Sequence, residues 1–174
     1  MEIFAETERL ILRELLPTDR NGLFAVDSDP DVNIYLGNNP VKTIEQTDDI
    51  IRFVRKQYVD NGIGRWAMIE RSTNNFIGWS GLKLIKELTN NHIDYYDLGY
   101  RLNKSYWGKG FATEAAKATL KYGFNTLNLN EIYAIAASKN IASRNVIEKV
   151  GLKYKETFSY CGTDHDWFEI QKQQ

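Results

Sequence analysis

The eight residues Trp107-Gly108-Lys109-Gly110-Phe111-Ala112-Thr113-Glu114 set small side chains at alternate positions, where a strand-like segment gives way to a helix-forming run from Thr113 to Phe124. Such a junction suits an anion. The leading N–H groups of a helix have no partner inside it, and the aligned peptide dipoles add partial positive charge, so backbone alone can hold a phosphate. Gly108, Gly110 and Ala112 leave those amides open to close approach, while Lys109 can point outward and add a positive charge. The closing Gly-Lys-Ser/Thr of a nucleotide P-loop is missing, and the run is too short for the three-glycine dinucleotide fingerprint. A diphosphate cradle of another kind is the reading that remains.

With its neighbours, the stretch Tyr106 to Ala115 resembles the pyrophosphate loop of the GNAT superfamily of acyl-CoA-dependent N-acyltransferases, Arg/Gln-x-x-Gly-x-Gly/Ala. Trp107 stands in place of the Arg or Gln, and Gly110 and Ala112 occupy the fixed positions; the whole stretch is most similar to the RimJ/RimL-like branch. Two further segments carry the same resemblance in the same order. Thr7-Glu8-Arg9-Leu10-Ile11-Leu12-Arg13, followed by Ser28-Asp29-Pro30-Asp31-Val32 and Tyr35-Leu36-Gly37, resembles that branch's opening. Asn140-x-x-Ser143 and Glu148-Lys149-Val150-Gly151-Leu152 resemble its second cofactor-contacting helix.

The resemblance implies a mixed α/β (α+β) fold with a mostly antiparallel central sheet flanked by helices and a V-shaped opening between the two central strands. It also implies acetyl-CoA as acyl donor, with no metal and no covalent enzyme intermediate, and a primary amine as acceptor. RimJ/RimL-like relatives modify the α-amine of ribosomal proteins; others in the branch act on small-molecule amines. Cofactor contacts would come from the backbone of Tyr100, Arg101 and Leu102, from the loop Trp107, Gly108, Lys109, Gly110, Phe111, Ala112 and Thr113, and from Asn140 and Ser143. One amide near Tyr100 to Leu102 would polarise the thioester carbonyl, and fixed donors of that kind are worth about 2.7–4 kcal/mol each.

A neutral amine is needed for attack on a thioester, whereas α-amines and lysines ionise near about 7.7–8.0 and about 10.4, so a group must accept a proton. Asp97 matches the acidic position that opens this strand in the resembled branch, where Glu is usual, and is the candidate base. Its other reading is a partner for Arg101 or for a loop amide. Asp164, His165 and Asp166 are a second titratable cluster, expected in the turn before the last strand; the resemblance implies that an acidic residue here can face the acceptor amine, and the other reading is a solvated turn with Asp166 capping the strand. Ile147 holds the place of the tyrosine that many GNAT enzymes use as acid, which leaves Ser143 as candidate donor to the departing thiolate. Read structurally, Asn140 is a good N-cap and Ser143 an early-turn serine. Gly99 is compatible with a bulge or with close packing against a neighbour. Arg144, Lys149, Lys109, Lys117 and Lys121 could meet a ribose phosphate or form a solvated face. His92 reads as a surface histidine and the lone Cys161 as a small packing residue; aromatics such as Phe4, Tyr35, Trp66, Trp79 and Tyr95 belong more often to a core than to an acceptor pocket and are not assigned. A non-catalytic acyl-CoA-binding module and an ATP-binding protein are the competing functional readings.

At 174 residues the chain fits a single domain over residues 1–174, and 43% hydrophobic with 26% charged residues is the composition of an ordinary globular protein. Net charge is −1, so no global field draws the chain to nucleic acid or to an anionic membrane. A single cysteine excludes an intramolecular disulfide and fits a reducing compartment, and no apolar run approaches the ~20 residues of a membrane span. The cytoplasm is the expected location. Relatives include monomers and homodimers.

The elements that must hold these residues follow from pattern. Leu10 and Leu12 alternate with arginine in a strand from Arg9 to Arg13; Thr18 or Asp19 caps a helix through Leu23 and Phe24; Thr43 and Gln46 form a capping box for a helix to about Asp60. Strands are expected over Trp66 to Glu70 and Phe76 to Ile85, joined at Ser72-Thr73-Asn74-Asn75, and over Ile93 to Leu102. Then come the helix Thr113 to Phe124, a strand Glu131 to Ala137, a helix Ile141 to Val150 stopped by Gly151, and strands near Leu152 to Tyr160 and Trp167 to Ile170.

Overall fold

Eight short segments, some alternating apolar with polar residues and some apolar on both faces, form eight strands that join in one sheet. A computed structural model describes residues 1–173. In chain order the elements are β1 (Ile3–Glu6), β2 (Leu10–Arg13), α1 (Arg20–Asp27), α2 (Pro30–Asn33), α3 (Ile44–Asn61), β3 (Arg65–Glu70), β4 (Phe76–Ile85), β5 (Tyr95–Leu102), α4 (Phe111–Asn125), β6 (Glu131–Ala137), α5 (Ile141–Lys149), β7 (Lys153–Tyr160) and β8 (Thr163–Gln171). The sheet order is β1-β2-β3-β4-β5-β6-β8-β7, antiparallel throughout except where β5 meets β6. That mixed α/β architecture is the one expected. β1 and α2 were not, because Ile3-Phe4-Ala5 is apolar without alternation and Pro30–Asn33 makes little more than one helical turn.

Side chains on successive residues of a strand point to opposite faces, so each face has its own cover. On one face α4 and α5 bury Phe111, Ala115, Ala116, Leu120 and Ile147 against Trp66, Met68, Leu82, Leu98, Ile132 and Phe168. Phe4 of β1 stacks on Trp66 with centroids 4.8 Å apart, and Tyr122 of α4 meets Trp66 edge-on at 5.0 Å, so the missed first strand closes this core. Across the sheet, Leu23 of α1 and Ile51 and Val54 of α3 pack on Ala67 and Ile69. α3 starts as expected. The Thr43 hydroxyl accepts from the Gln46 amide, the Gln46 carboxamide accepts from the Thr43 amide, and Gly62 ends the helix at φ +69°.

A third cluster, Tyr95, Tyr133 and Trp167, lies on the α1/α3 side but beyond those helices. The β4–β5 connection covers it instead. His92, expected at the surface, stacks on Trp167 at 4.6 Å and packs against Tyr133 at 5.1 Å. Cys161 also departs from its reading: with Gly162 it makes the two-residue β7–β8 turn, both at positive φ, and it is exposed. Tyr35 is 42% exposed and is not a core residue.

Candidate active site

β5 pairs with β4 along its whole length, from Tyr95 opposite Ile85 to Leu102 opposite Gly78. Its pairing with β6 is confined to Asp97 opposite Tyr133. Beyond that point the pairing ends, and among the described residues the β6 side of β5 from Leu98 to Leu102 has no strand partner. The segment Tyr100 to Leu102 named from the sequence lies on this free edge. Gly99 does not mark a bulge against β4, since the β4–β5 register is unbroken. A Cβ there would lie 2.6 Å from Nη2 of Arg65, so the glycine makes room for a guanidinium.

From the end of β5 a single 3₁₀ turn, Lys104–Tyr106, leads into the glycine loop, and Trp107 is tied back by its indole N–H, which donates to the Leu102 carbonyl at 3.0 Å. Gly110 is the residue before α4 and sits at φ +83°; Gly108 is at φ +71°, where an added Cβ would meet no atom within 4 Å. Left-handed backbone, in addition to close approach, is thus what these two positions demand of glycine. α4 begins at Phe111, two residues earlier than the pattern indicated, which makes Phe111, Ala112 and Thr113 its first turn. Among the described residues, none accepts a hydrogen bond from the amides of Gly108 through Thr113. A row of unpaired donors at a helix N-terminus fits a diphosphate.

The profile of the acetyltransferase (GNAT) domain matches residues 9–153. The chain belongs to the GNAT acetyltransferases. It is 31% identical over 147 residues to the uncharacterized N-acetyltransferase p20 of Bacillus licheniformis, covering 84% of this chain and 80% of that protein. Among solved structures it is similar to a GNAT-family acetyltransferase from Bacillus anthracis, at a TM-score of 0.79 and 29% identity over 98% of each chain. RimL, a ribosomal L7/L12 alpha-N-protein acetyltransferase solved with coenzyme A, shares the fold at a TM-score of 0.80 and 16% identity, again over 98% of each chain.

In this GNAT domain the residues singled out from sequence divide between the two faces of the sheet. On the α4/α5 face, Asn140 caps α5 by accepting from the Ser143 amide at 3.2 Å, which leaves its carboxamide NH₂ free. The Ser143 hydroxyl lies 3.1 Å from the phenol oxygen of Tyr100, and that phenol also lies 3.0 Å from the Ser143 carbonyl. Burial pushes the Tyr100 phenol up to about 12, against the opposing pull of the Ser143 hydrogen bond. The sequence pointed only to the backbone of Tyr100; a tyrosine on the face that points at α5 was the available signal for its side chain. Arg144, a candidate for the ribose phosphate, is instead paired with Asp166 at 2.9 Å. Asp164, His165 and Asp166 lie within β8, not in a turn before it, and Asp166 accepts from Ser138 at 2.6 Å and from Thr157 at 2.8 Å. It holds β8 to β7 and α5.

On the opposite face stand Asp97, Arg65, Trp79, Arg101 and Asp27. Asp97 is 9% exposed and ion-paired with Arg65, whose guanidinium also donates to the carbonyls of Gly81 and Asp97. Burial raises the Asp97 carboxyl above its usual value, and the Arg65 charge and hydrogen bond pull the other way. Arg101, the partner foreseen for Asp97, reaches Asp27 of α1 at 2.6 Å instead. Asp27 is likewise raised by burial, opposed by Arg101. Both guanidiniums lie over the Trp79 ring, at 5.4 and 5.3 Å from its centroid. Arg65 and Asp27 had no signal in the sequence, because nothing local marks which arginine reaches which carboxylate, and Trp79 was named only as an aromatic.

Proposed function

We propose that this GNAT acetyltransferase transfers the acetyl group of acetyl-CoA by direct attack to the α-amine of a protein or peptide N-terminus. Acetyl-CoA is the donor that the family uses. On this reading the amides of Gly108 to Thr113, with Lys109, grip its diphosphate, and the free edge of β5 from Tyr100 to Leu102 hydrogen-bonds the pantetheine and faces the developing charge on the thioester oxygen. Asn140 contributes its free NH₂. Ser143, backed by Tyr100, is the donor placed for the departing sulfur, an aid rather than a necessity because a thiol of pKa about 8.5 leaves readily as thiolate. Asp97 accepts the amine proton from the opposite face, directly or through water.

One observation supports the choice of acceptor. Asp27 and Asp97, buried carboxylates on the acceptor face, are each taken by an arginine. A polyamine needs free carboxylates spaced to meet several ammonium groups. A base pinned by a guanidinium also suits an amine that surrenders its proton easily, and an α-amine ionises near about 7.7–8.0 where a side-chain amine needs about 10.4. The test is thiol release from acetyl-CoA with peptides bearing free N-termini, with N-blocked lysine peptides and with spermidine. Highest kcat/KM is expected for the free N-termini. A preference for spermidine would overturn the acceptor, and coenzyme A binding with no turnover on any amine would leave only a cofactor-binding module.

A further inference from the structure

The turn between β1 and β2 reaches across to the start of α4 and holds it at several points. The Thr7 hydroxyl donates to Oε1 of Glu114 at 2.6 Å, and the Arg9 amide donates to the same oxygen at 3.1 Å. The Arg9 side chain binds Oε2 of Glu114 through Nε at 2.7 Å and Nη2 at 2.6 Å. Its remaining terminal nitrogen, Nη1, donates to the carbonyl of Lys109 at 2.9 Å, while the guanidinium plane lies 4.3 Å from the centroid of Phe111. One arginine therefore grips a loop carbonyl, the first aromatic of α4 and the carboxylate in that helix's first turn.

The Lys109 carbonyl is the informative contact. A trans peptide is planar, so its C=O and the following N–H point in opposite directions. Drawing the Lys109 carbonyl toward Arg9 sends the Gly110 amide, one of the unpaired donors, away from that contact. Without that hold, a loop built on two glycines at positive φ has several peptide orientations open to it. We infer that Arg9 is a positioning residue for the diphosphate cradle: it orients the Lys109–Gly110 peptide and, through Glu114, fixes the first turn of α4 before the donor arrives. The inference rests on the reading that this loop receives the diphosphate of acetyl-CoA. Pre-orientation removes an ordering cost from binding and acts on nothing at the thioester.

The experiment compares Arg9→Ala, Arg9→Lys and Glu114→Gln with the unaltered protein. Coenzyme A affinity is measured by calorimetry, and kcat and KM are measured with acetyl-CoA and with S-acetylpantetheine, which ends before the diphosphate. Arg9→Ala is expected to raise the Kd for coenzyme A and the KM for acetyl-CoA by about tenfold, with kcat unchanged and with no change on S-acetylpantetheine. Arg9→Lys, which keeps the charge but cannot hold the Lys109 carbonyl and both Glu114 contacts together, is expected to be as weak as Arg9→Ala. Glu114→Gln, which retains the size of the side chain, shifts the same constants in the same direction and serves if Arg9→Ala does not fold. Unchanged coenzyme A affinity in Arg9→Ala, or recovery by lysine, overturns the positioning role. Loss of activity with both donors alike also overturns it. Failure of the unaltered protein to bind coenzyme A would instead sink the underlying acetyl-CoA reading.

Discussion

Replacing Gly110 by alanine tests the cradle with a magnitude set by geometry. At φ +83° a residue with a Cβ is in left-handed backbone, and the added methyl would meet only Nη2 of Arg9, at 3.4 Å. No clash contributes, so the cost is conformational, about 1–2 kcal/mol. In the free protein a variant loop can relax to another conformation. Holding a diphosphate requires the original one, so the strain reappears as lost affinity, a rise in the coenzyme A Kd of about 5–30-fold. Gly62 supplies the matched control. It lies at φ +69° in the α3–β3 turn with nothing within 4 Å of an added Cβ. Gly62→Ala should carry a similar strain that appears as stability alone, lowering Tm by about 2–8 °C and leaving coenzyme A binding untouched. Calorimetric titration with coenzyme A and thermal unfolding of both variants decide the matter. Binding by Gly110→Ala within about twofold of the unaltered protein would refute the claim that this residue's backbone shapes the phosphate site.

Asp97→Asn should lower kcat/KM for an α-amine near pH 7 by about 10²–10⁴-fold, with partial recovery at high pH where the amine is already neutral; a flat deficit across pH would argue for a structural role only. Arg65→Met removes the charge that pulls the Asp97 pKa down, so the acid limb of the kcat/KM profile, already above 3.8, should move to higher pH. An unmoved limb would mean that Asp97 is not the base. Burial pushes the Glu114 carboxyl up, but the hydrogen bonds from Thr7 and Arg9 and the Arg9 charge outweigh it, and the net shift is below 4.5. A depressed carboxylate lends stability above its unfolded value and loses it as pH falls further, so the Tm advantage over Glu114→Gln should be full above pH 4.5 and vanish below it. Trp66→Ala, which empties a fully buried site flanked by Phe4 and Tyr122, should cost about 3–5 kcal/mol in denaturant unfolding.

Much of this protein was legible because it is local. The capping box at Thr43 and Gln46 and the alternation of Leu10 with Leu12 act within a few residues, so composition along the chain is enough to see them. The proposed anion site belongs to the same class: it consists of consecutive backbone amides, and two glycines ahead of a helix mark it without reference to any other segment. Short pieces escaped, as β1 and α2 show.

Side-chain partnerships are a different matter, since they join residues that only the folded sheet makes neighbours. Arg65 and Asp97 are separated by 32 positions, Tyr100 and Ser143 by 43, Arg101 and Asp27 by 74, and Arg9 and Glu114 by 105. Asp97 could be named as an acid from its place in a strand, but its clamp by Arg65 follows from β3, β4 and β5 lying side by side with those residues on one face. Ser143 could be named from its helix, while the phenol behind it comes from a strand that a crossover brings beneath α5. Sequence by itself determined where a row of unpaired amides opens a helix, the place proposed for an acetyl donor's phosphates. Tertiary structure decided which charges are spent on one another, because a buried carboxylate takes whichever cation the packing of distant strands delivers to it.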